Sequence, residues 1–220
     1  MIDRVSQQVE SPVMFINGAF GDVGPRMNVL ISENVLGGYC LFSAGVGDGC
    51  GMIGLGAIVR SSLRGAKVIA VDIDDSKISL ARSLGAGFGI NSCTNDLHAE
   101  LMKITKNQGP DVAIEAAGNP ATYLAAVNEV AFSGRVVCIG YAKDDVSFAT
   151  KVFVQKEVDL RGSRNATPMD FQAVADYLGK GGFPTPEVVT AEITLDAAPN
   201  ILNKWANNPK VITKILVDVE

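Results

Sequence analysis

A single histidine and four scattered cysteines leave this sequence short of the side chains that build most metal centres. Cys40, Cys50, Cys93 and Cys138 show no CxxC spacing, so they form neither a zinc cage nor a disulfide framework and read as small buried apolar residues. The lone His98 lies in TNDLHAELMKIT, a surface-helix pattern capped by Thr94, with no second ligand or orienting carboxylate nearby in sequence. Basic residues are outnumbered, 19 to 24, and the net charge of −5 leaves no basic patch for nucleic acid. No apolar run approaches the roughly 20 residues of a membrane helix. The opening MIDRVSQQVESP lacks the apolar core of a secretory signal, so a cytoplasmic location is expected.

What is present is organised around Gly49 to Asp72, reading GCGMIGLGAIVRSSLRGAKVIAVD. Three glycines, Gly49, Gly51 and Gly54, precede an apolar helical pattern that runs to about Leu63. Gly65 ends it, and Lys67 to Val71 is a short β-rich run closed by Asp72. This is the fingerprint of a dinucleotide-binding βαβ unit, with the acidic residue near its expected spacing of roughly 20 residues. Gly49 permits the tight turn, Gly51 lets backbone approach a pyrophosphate, and Gly54 lets the helix pack on the strand. The N–H groups near Met52 and Ile53 face the phosphates, and the helix dipole favours their charge. Asp72 accepts from both ribose hydroxyls and would repel a 2′-phosphate, which favours NAD over NADP. One misfit is visible: Gly45 to Asp48 intervene between the strand ending at Ala44 and the first glycine.

Along the chain, residues 1–37 are an irregular segment with short apolar runs at Val13–Ile16 and Asn28–Ile31. Tyr39–Ala44 is the first buried strand. Helices and strands then alternate: a helix from Asp74, a strand at Phe88–Ile90, a helix over Thr94–Thr105 and a strand at Asp111–Ala116. A helix over Pro120–Ala131, a strand at Arg135–Gly140, a helix over Val146–Lys156 and a strand at Val158–Arg161 follow. This alternation predicts an α/β, Rossmann-type, doubly wound parallel sheet in the order 3-2-1-4-5-6, spanning 38–166. Residues 167–220 read as a helix over Thr167–Leu178, a loop, an extended stretch at Glu187–Leu195, a helix over Asp196–Ala206 and a strand over Lys210–Val219.

The strings GCGMIGLGAI, VIAVDIDDSKISLARSLGA, DVAIEAAGN, GRVVCIGY and KEVDLRGSRN resemble the C-terminal part of the zinc-type medium-chain alcohol and polyol dehydrogenases, over residues 49–220. The resemblance implies hydride transfer between an alcohol or polyol substrate and NAD. It implies that Gly49, Gly51, Met52, Ile53 and Gly54 hold the pyrophosphate, and that Asp72, flanked by Lys77, holds the adenosine ribose. Ala116, Ala117 and Gly118 would line the adenine and the middle of the groove. Ile139, Gly140 and Tyr141 would lie near the nicotinamide, and Ser163, Arg164 and Asn165 would face its amide. Two copies would pair through the sheet edge near the sixth strand.

The family's catalytic domain, with its zinc held by cysteine, histidine and an acidic residue, precedes the fingerprint over about 150 residues. Here that stretch is 48 residues long, with Cys40 as its sole cysteine and no histidine. No zinc-ligand set can be assembled, and the catalytic residues are unassigned. The final strand would belong to that domain, so 167–220 reads as its remnant. Its apolar face needs another partner, either residues 12–44 or another chain. Three readings stay open: a shortened, weakly active dehydrogenase, a non-catalytic NAD-binding module, and an S-adenosylmethionine-dependent methyltransferase with SAGVGDGCG as its glycine-rich loop.

Overall fold

The computed structural model describes residues 13–15, 39–43, 52–181, 183, 185–207, 212 and 214–219, with backbone alone for 13–15, 39–43, 52, 187 and 206. Six strands form one parallel sheet: β2 (Tyr39–Ser43), β3 (Lys67–Asp72), β4 (Phe88–Asn91), β5 (Val112–Glu115), β6 (Arg135–Cys138) and β7 (Asp159–Gly162). Their spatial order is β4-β3-β2-β5-β6-β7, the doubly wound order expected from the alternation.

Parallel strands buried on both faces read as continuous apolar runs, and β3 shows why. After Lys67 every residue of KVIAVD is buried. Successive side chains point to opposite faces, so Val68 and Ala70 enter one core while Ile69 and Val71 enter the other. Strand β5 repeats this, with Val112 and Ile114 on the first face and Ala113 on the second. The first core takes Leu55, Ile58 and Val59 from α1 (Met52–Leu63) and Ala81 from α2 (Asp75–Ser83). The second takes Leu101 from α3 (Leu97–Thr105) and Ala126 and Val127 from α4 (Pro120–Glu129). Ile58, Ile69 and Leu101 are completely enclosed, and each contributes about 1.5–3 kcal/mol by burial.

Local signals set the helix ends. Gly65 stops α1 at φ +81°, its N–H donating to Ser62 O at 2.9 Å while Ala66 N–H reaches back to Ser61 O. Asp74, Asp96 and Asn119 each accept a backbone N–H of the first turn of α2, α3 and α4. The cap of α3 is therefore Asp96, not Thr94. Residues 91–95 fold instead into a turn on Asn91, whose carbonyl accepts from the Asn95 N–H and whose side chain accepts from the Cys93 N–H. That turn also exposes Cys93, against the expectation of burial. Helix α5 is short, Lys151–Lys156, because Phe148 folds back against the second core and meets Phe153 edge to face, 5.8 Å between centroids.

Beyond the sheet, α6 (Pro168–Leu178) begins at Thr167, whose N–H and hydroxyl both donate to Asp170. Tyr177, Leu178, Phe183 and Val188 join the first core. Val188 sits in α7 (Thr185–Val188), a single turn that takes in the first two residues of the expected extended stretch, whose later part is a strand; Thr-Pro opens it and Val189 N–H closes on Thr185 O. Then come β8 (Ala191–Thr194), α8 (Ala198–Asn207) and β9 (Ile215–Asp218), the two strands belonging to a second sheet. Strand β9 lies parallel to β8 and antiparallel to β1 (Val13–Phe15), with Val13 opposite Asp218. The last strand thus pairs at its edge with residues inside 12–44, while Ile215 and Val217 on its apolar face line a small cavity with Ile201, Leu202 and Trp205 of α8. The apolar run expected at Asn28–Ile31 lies outside the described residues.

Candidate functional site

Because all six strands run parallel, every loop after a strand's carboxyl end opens on one edge of the sheet, the edge where doubly wound folds bind ligands. The order reverses at β2, which has β3 on one side and β5 on the other. Gly49 and Gly51 lie outside the described residues. Met52 opens α1, Ile53 is half-buried and packs against the first core, and Gly54 is buried within the first turn.

Asp72 ends β3 and is 1% exposed. Its Oδ1 accepts the N–H of Ile73 at 2.7 Å and of Asp74 at 2.9 Å, which fixes the carboxylate at the strand terminus. Lys77 stands half-buried on α2. Hydrogen bonds from Ser76, with a smaller contribution from the Lys77 charge, hold the Asp74 carboxyl below its usual range.

The loops after β5, β6 and β7 are brought together. Ala116 and Ile139 are buried, at 9% and 5% exposure, while Tyr141 stands 70% exposed. Gly118 adopts φ +68°, and a Cβ on it would lie 2.3 Å from Tyr141 O. A Cβ on Gly140 would lie 2.3 Å from Gly118 N. Only glycine at both positions lets the two backbones meet this closely. The Arg164 guanidinium lies 5.7 Å from the centre of the Tyr141 ring, within cation–π range. Ser163 is buried, its N–H donating to Cys138 O at 2.9 Å. Among the described residues its hydroxyl has no hydrogen-bond partner. Asn165 takes a left-handed conformation, φ 66°, as the chain leaves β7.

Beneath these loops sits a residue that sequence reasoning passed over. Glu115 ends β5 fully buried. Its Oε1 accepts the Ala117 and Gly118 N–H groups, at 2.9 and 2.8 Å, and the Thr122 hydroxyl at 2.7 Å. Burial pushes its carboxyl above the usual range, and those hydrogen bonds hold the rise in check. The signal was an acid inside an apolar strand, DVAIEA, which must find donors once buried. Burial also raises Tyr123, and it pushes the Cys138 thiol up to about 11 with help from the Glu115 charge. Cys138 therefore stays a thiol at neutral pH and is no nucleophile there.

The donor set among the described residues does not fit a catalytic zinc. Among the described residues no group of three His, Cys, Asp or Glu side chains could hold a metal ion. His98 instead pairs across to α4, its Nδ1 2.7 Å from Glu129 Oε2. The groove residues do fit a dinucleotide: a carboxylate fixed at the end of β3, a buried unpartnered hydroxyl at the end of β7, and an exposed aromatic between them. No helix among the described residues is long and apolar enough to cross a membrane.

Comparison with known proteins adds to this geometry. A family model described as zinc-binding dehydrogenase matches residues 53–180. L-idonate 5-dehydrogenase of Vitis vinifera is 29% identical over 79% of this chain and 44% of its own length. Sorbitol dehydrogenase of Bacillus subtilis is 26% identical over 77% of this chain and 48% of its own length. The crystal structure of 2R,3R-butanediol dehydrogenase from Bacillus subtilis superimposes with a TM-score of 0.71 at 27% identity, covering 86% of this chain and 53% of that one. The chain spans about half the length of the curated relatives it matches.

Proposed function

This chain belongs to the zinc-binding dehydrogenase family, and from that premise we propose that it is the NAD-binding unit of an oxidoreductase acting on an alcohol or polyol. The observation that carries the reading is Asp72, buried and fixed at the carboxyl end of β3, one strand from the point where the sheet order reverses. A carboxylate there accepts from ribose hydroxyls and repels a 2′-phosphate, so NAD is preferred to NADP. Gly49, Gly51, Met52, Ile53 and Gly54 hold the pyrophosphate at the start of α1, and Lys77 flanks the ribose. Ala116–Gly118 line the adenine side and the middle of the groove. Ile139–Tyr141 and Ser163–Asn165 border the nicotinamide, which when bound accepts the hydride.

The relatives' names describe action on sorbitol and L-idonate, and a hydroxylated substrate of that class is the one we assign. The lack of a zinc-ligand set among the described residues favours weak activity, or cofactor binding alone, for the chain by itself. We draw the cofactor domain at 38–166 and read 167–220 as a segment of the catalytic domain. Strand β7 forms an outer edge of the parallel sheet, with Leu160 44% exposed and Val154 of neighbouring α5 80% exposed. A second copy pairs there.

Calorimetric titration of the chain with NAD, NADP and S-adenosylmethionine, beside Asp72→Ala, tests the reading. Saturable NAD binding, tighter than NADP binding and weakened in the variant, is the expected result. Binding of S-adenosylmethionine alone would point to a methyltransferase, and binding of none of the three would leave a structural relic of a dehydrogenase.

A further inference from the structure

The Glu115 carboxylate works through one oxygen, since among the described residues its Oε2 has no hydrogen-bond partner. Its Oε1 gathers the N–H groups of Ala117 and Gly118. Its main-chain oxygen accepts Ile139 N–H at 2.8 Å and Gly140 N–H at 3.0 Å. One residue thus holds the loop after β5 by its side chain and the loop after β6 by its backbone. The two loops then touch each other. A Cβ on Gly140 would lie 2.3 Å from Gly118 N and 2.6 Å from Glu115 Oε2, so loop, carboxylate and loop are stacked without room for a methyl group. Thr122 ties the same carboxylate to α4, and its hydroxyl also reaches Asn119 O at the helix cap. The Tyr123 hydroxyl of α4 donates to Gly140 O, closing the ring of contacts from the other side.

We propose that Glu115 is a positioning residue that latches the loops 116–118 and 139–141 into one preformed wall, so that a dinucleotide spanning both meets a single fixed surface. The proposal rests on the dinucleotide reading above. Preformation matters because ordering two separate loops at the moment of binding would subtract from affinity. Glu115 touches no reacting atom in this scheme. Its effect passes through Gly118, Gly140 and Tyr141.

The test uses the whole chain with two substitutions. Glu115→Gln keeps an oxygen for the Ala117 and Gly118 N–H groups. Glu115→Met keeps the volume and removes the acceptor. Amide hydrogen exchange on the ligand-free protein reads the latch directly. In the Met variant, peptides covering 116–118 should exchange about tenfold faster, the factor that 1.4 kcal/mol corresponds to, and those covering 139–141 faster by a smaller factor, because the Glu115 main-chain oxygen still accepts from Ile139 and Gly140. The Gln variant should stay within about threefold of wild type, and peptides covering 68–71 should be unchanged in both.

Titrations with NAD and AMP then read positioning. NAD reaches both loops and AMP one, so the Met variant should lose about tenfold in NAD affinity and clearly less for AMP, with Gln restoring both. Loosening confined to 116–118 would overturn the latch. Equal losses for NAD and AMP, or a Gln variant as impaired as Met, would overturn the positioning role. A wild-type chain that binds neither nucleotide would overturn the dinucleotide reading, and positioning with it, while the exchange pattern still reports on the latch alone. Should Glu115→Met not fold, Thr122→Val removes one of the three donors and should show the same two-loop pattern at a smaller factor.

Discussion

Three glycines separate backbone strain from steric crowding, and alanine at each gives a graded series. Gly162 has no left-handed φ, and nothing lies within 4 Å of its missing Cβ. Alanine there restricts the unfolded chain and should stabilise by about 0.4–1 kcal/mol. Gly65 has φ +81° and open space around it, so Gly65→Ala should cost about 1–2 kcal/mol from the left-handed conformation alone. Gly118 combines φ +68° with a Cβ position 2.3 Å from Tyr141 O, 2.7 Å from its carbonyl carbon and 2.8 Å from its nitrogen. Those neighbours are backbone and cannot rotate aside. Overpacking adds about 1–3 kcal/mol to the conformational cost, so Gly118→Ala should lose roughly 2–5 kcal/mol in all. Equilibrium urea unfolding measures the series, provided the denaturant slope is the same in all four proteins. A Gly118→Ala cost within about 0.5 kcal/mol of the Gly65→Ala cost, the usual scatter of surface changes, would refute the close approach of residues 118 and 141 and the latch built on it.

Two pH experiments follow from the charges. Burial raises the Glu115 carboxyl, so its proton is held more tightly folded than unfolded. That contribution is fully present below the unfolded value and is lost as pH rises through the folded one. Glu115→Gln has nothing to lose there, so urea midpoints at pH 4, 5.5 and 7 should show its stability rising relative to wild type with pH; a difference independent of pH would contradict the burial of a charge. His98 is the only histidine, so a proton NMR titration reads it without assignment. The hydrogen bond and charge of Glu129 raise its pKa, and the stabilisation is complete below the unfolded value and lost as pH rises through the raised one. Glu129→Gln should move the midpoint down, and an unmoved midpoint would show that the contact does not persist in solution.

Much of this architecture can be read from the sequence because parallel sheets leave strong marks. The runs VIAVD and VAIEA are continuous in burial, and Gly65, Asn119-Pro120 and Thr167-Pro168 punctuate the helices as their backbone chemistry requires. The strand order then follows from the βαβ alternation. What escapes is decided by contacts remote in sequence or by competition between neighbours. Asp96 displaces Thr94 as a cap because Asn91 captures residues 92–95 in a turn. His98 gains its carboxylate from a helix 31 residues away. Glu115 reads as an anomaly in an apolar strand, and only the meeting of Gly118 with Gly140 shows what it holds. Of the expected site positions, 116–118, 139–141 and 163–165 could be placed in loops after strands, but not the contacts that join those loops.

The pairing of Val13 with Asp218 carries a kinetic consequence. A contact between residues this far apart in sequence carries a large loop-closure penalty. The penalty falls once the parallel sheet between the two strands has formed and brought them near. The β1–β9 ladder is therefore expected to form late, and a probe on that ladder, timed against one in the parallel sheet, tests this.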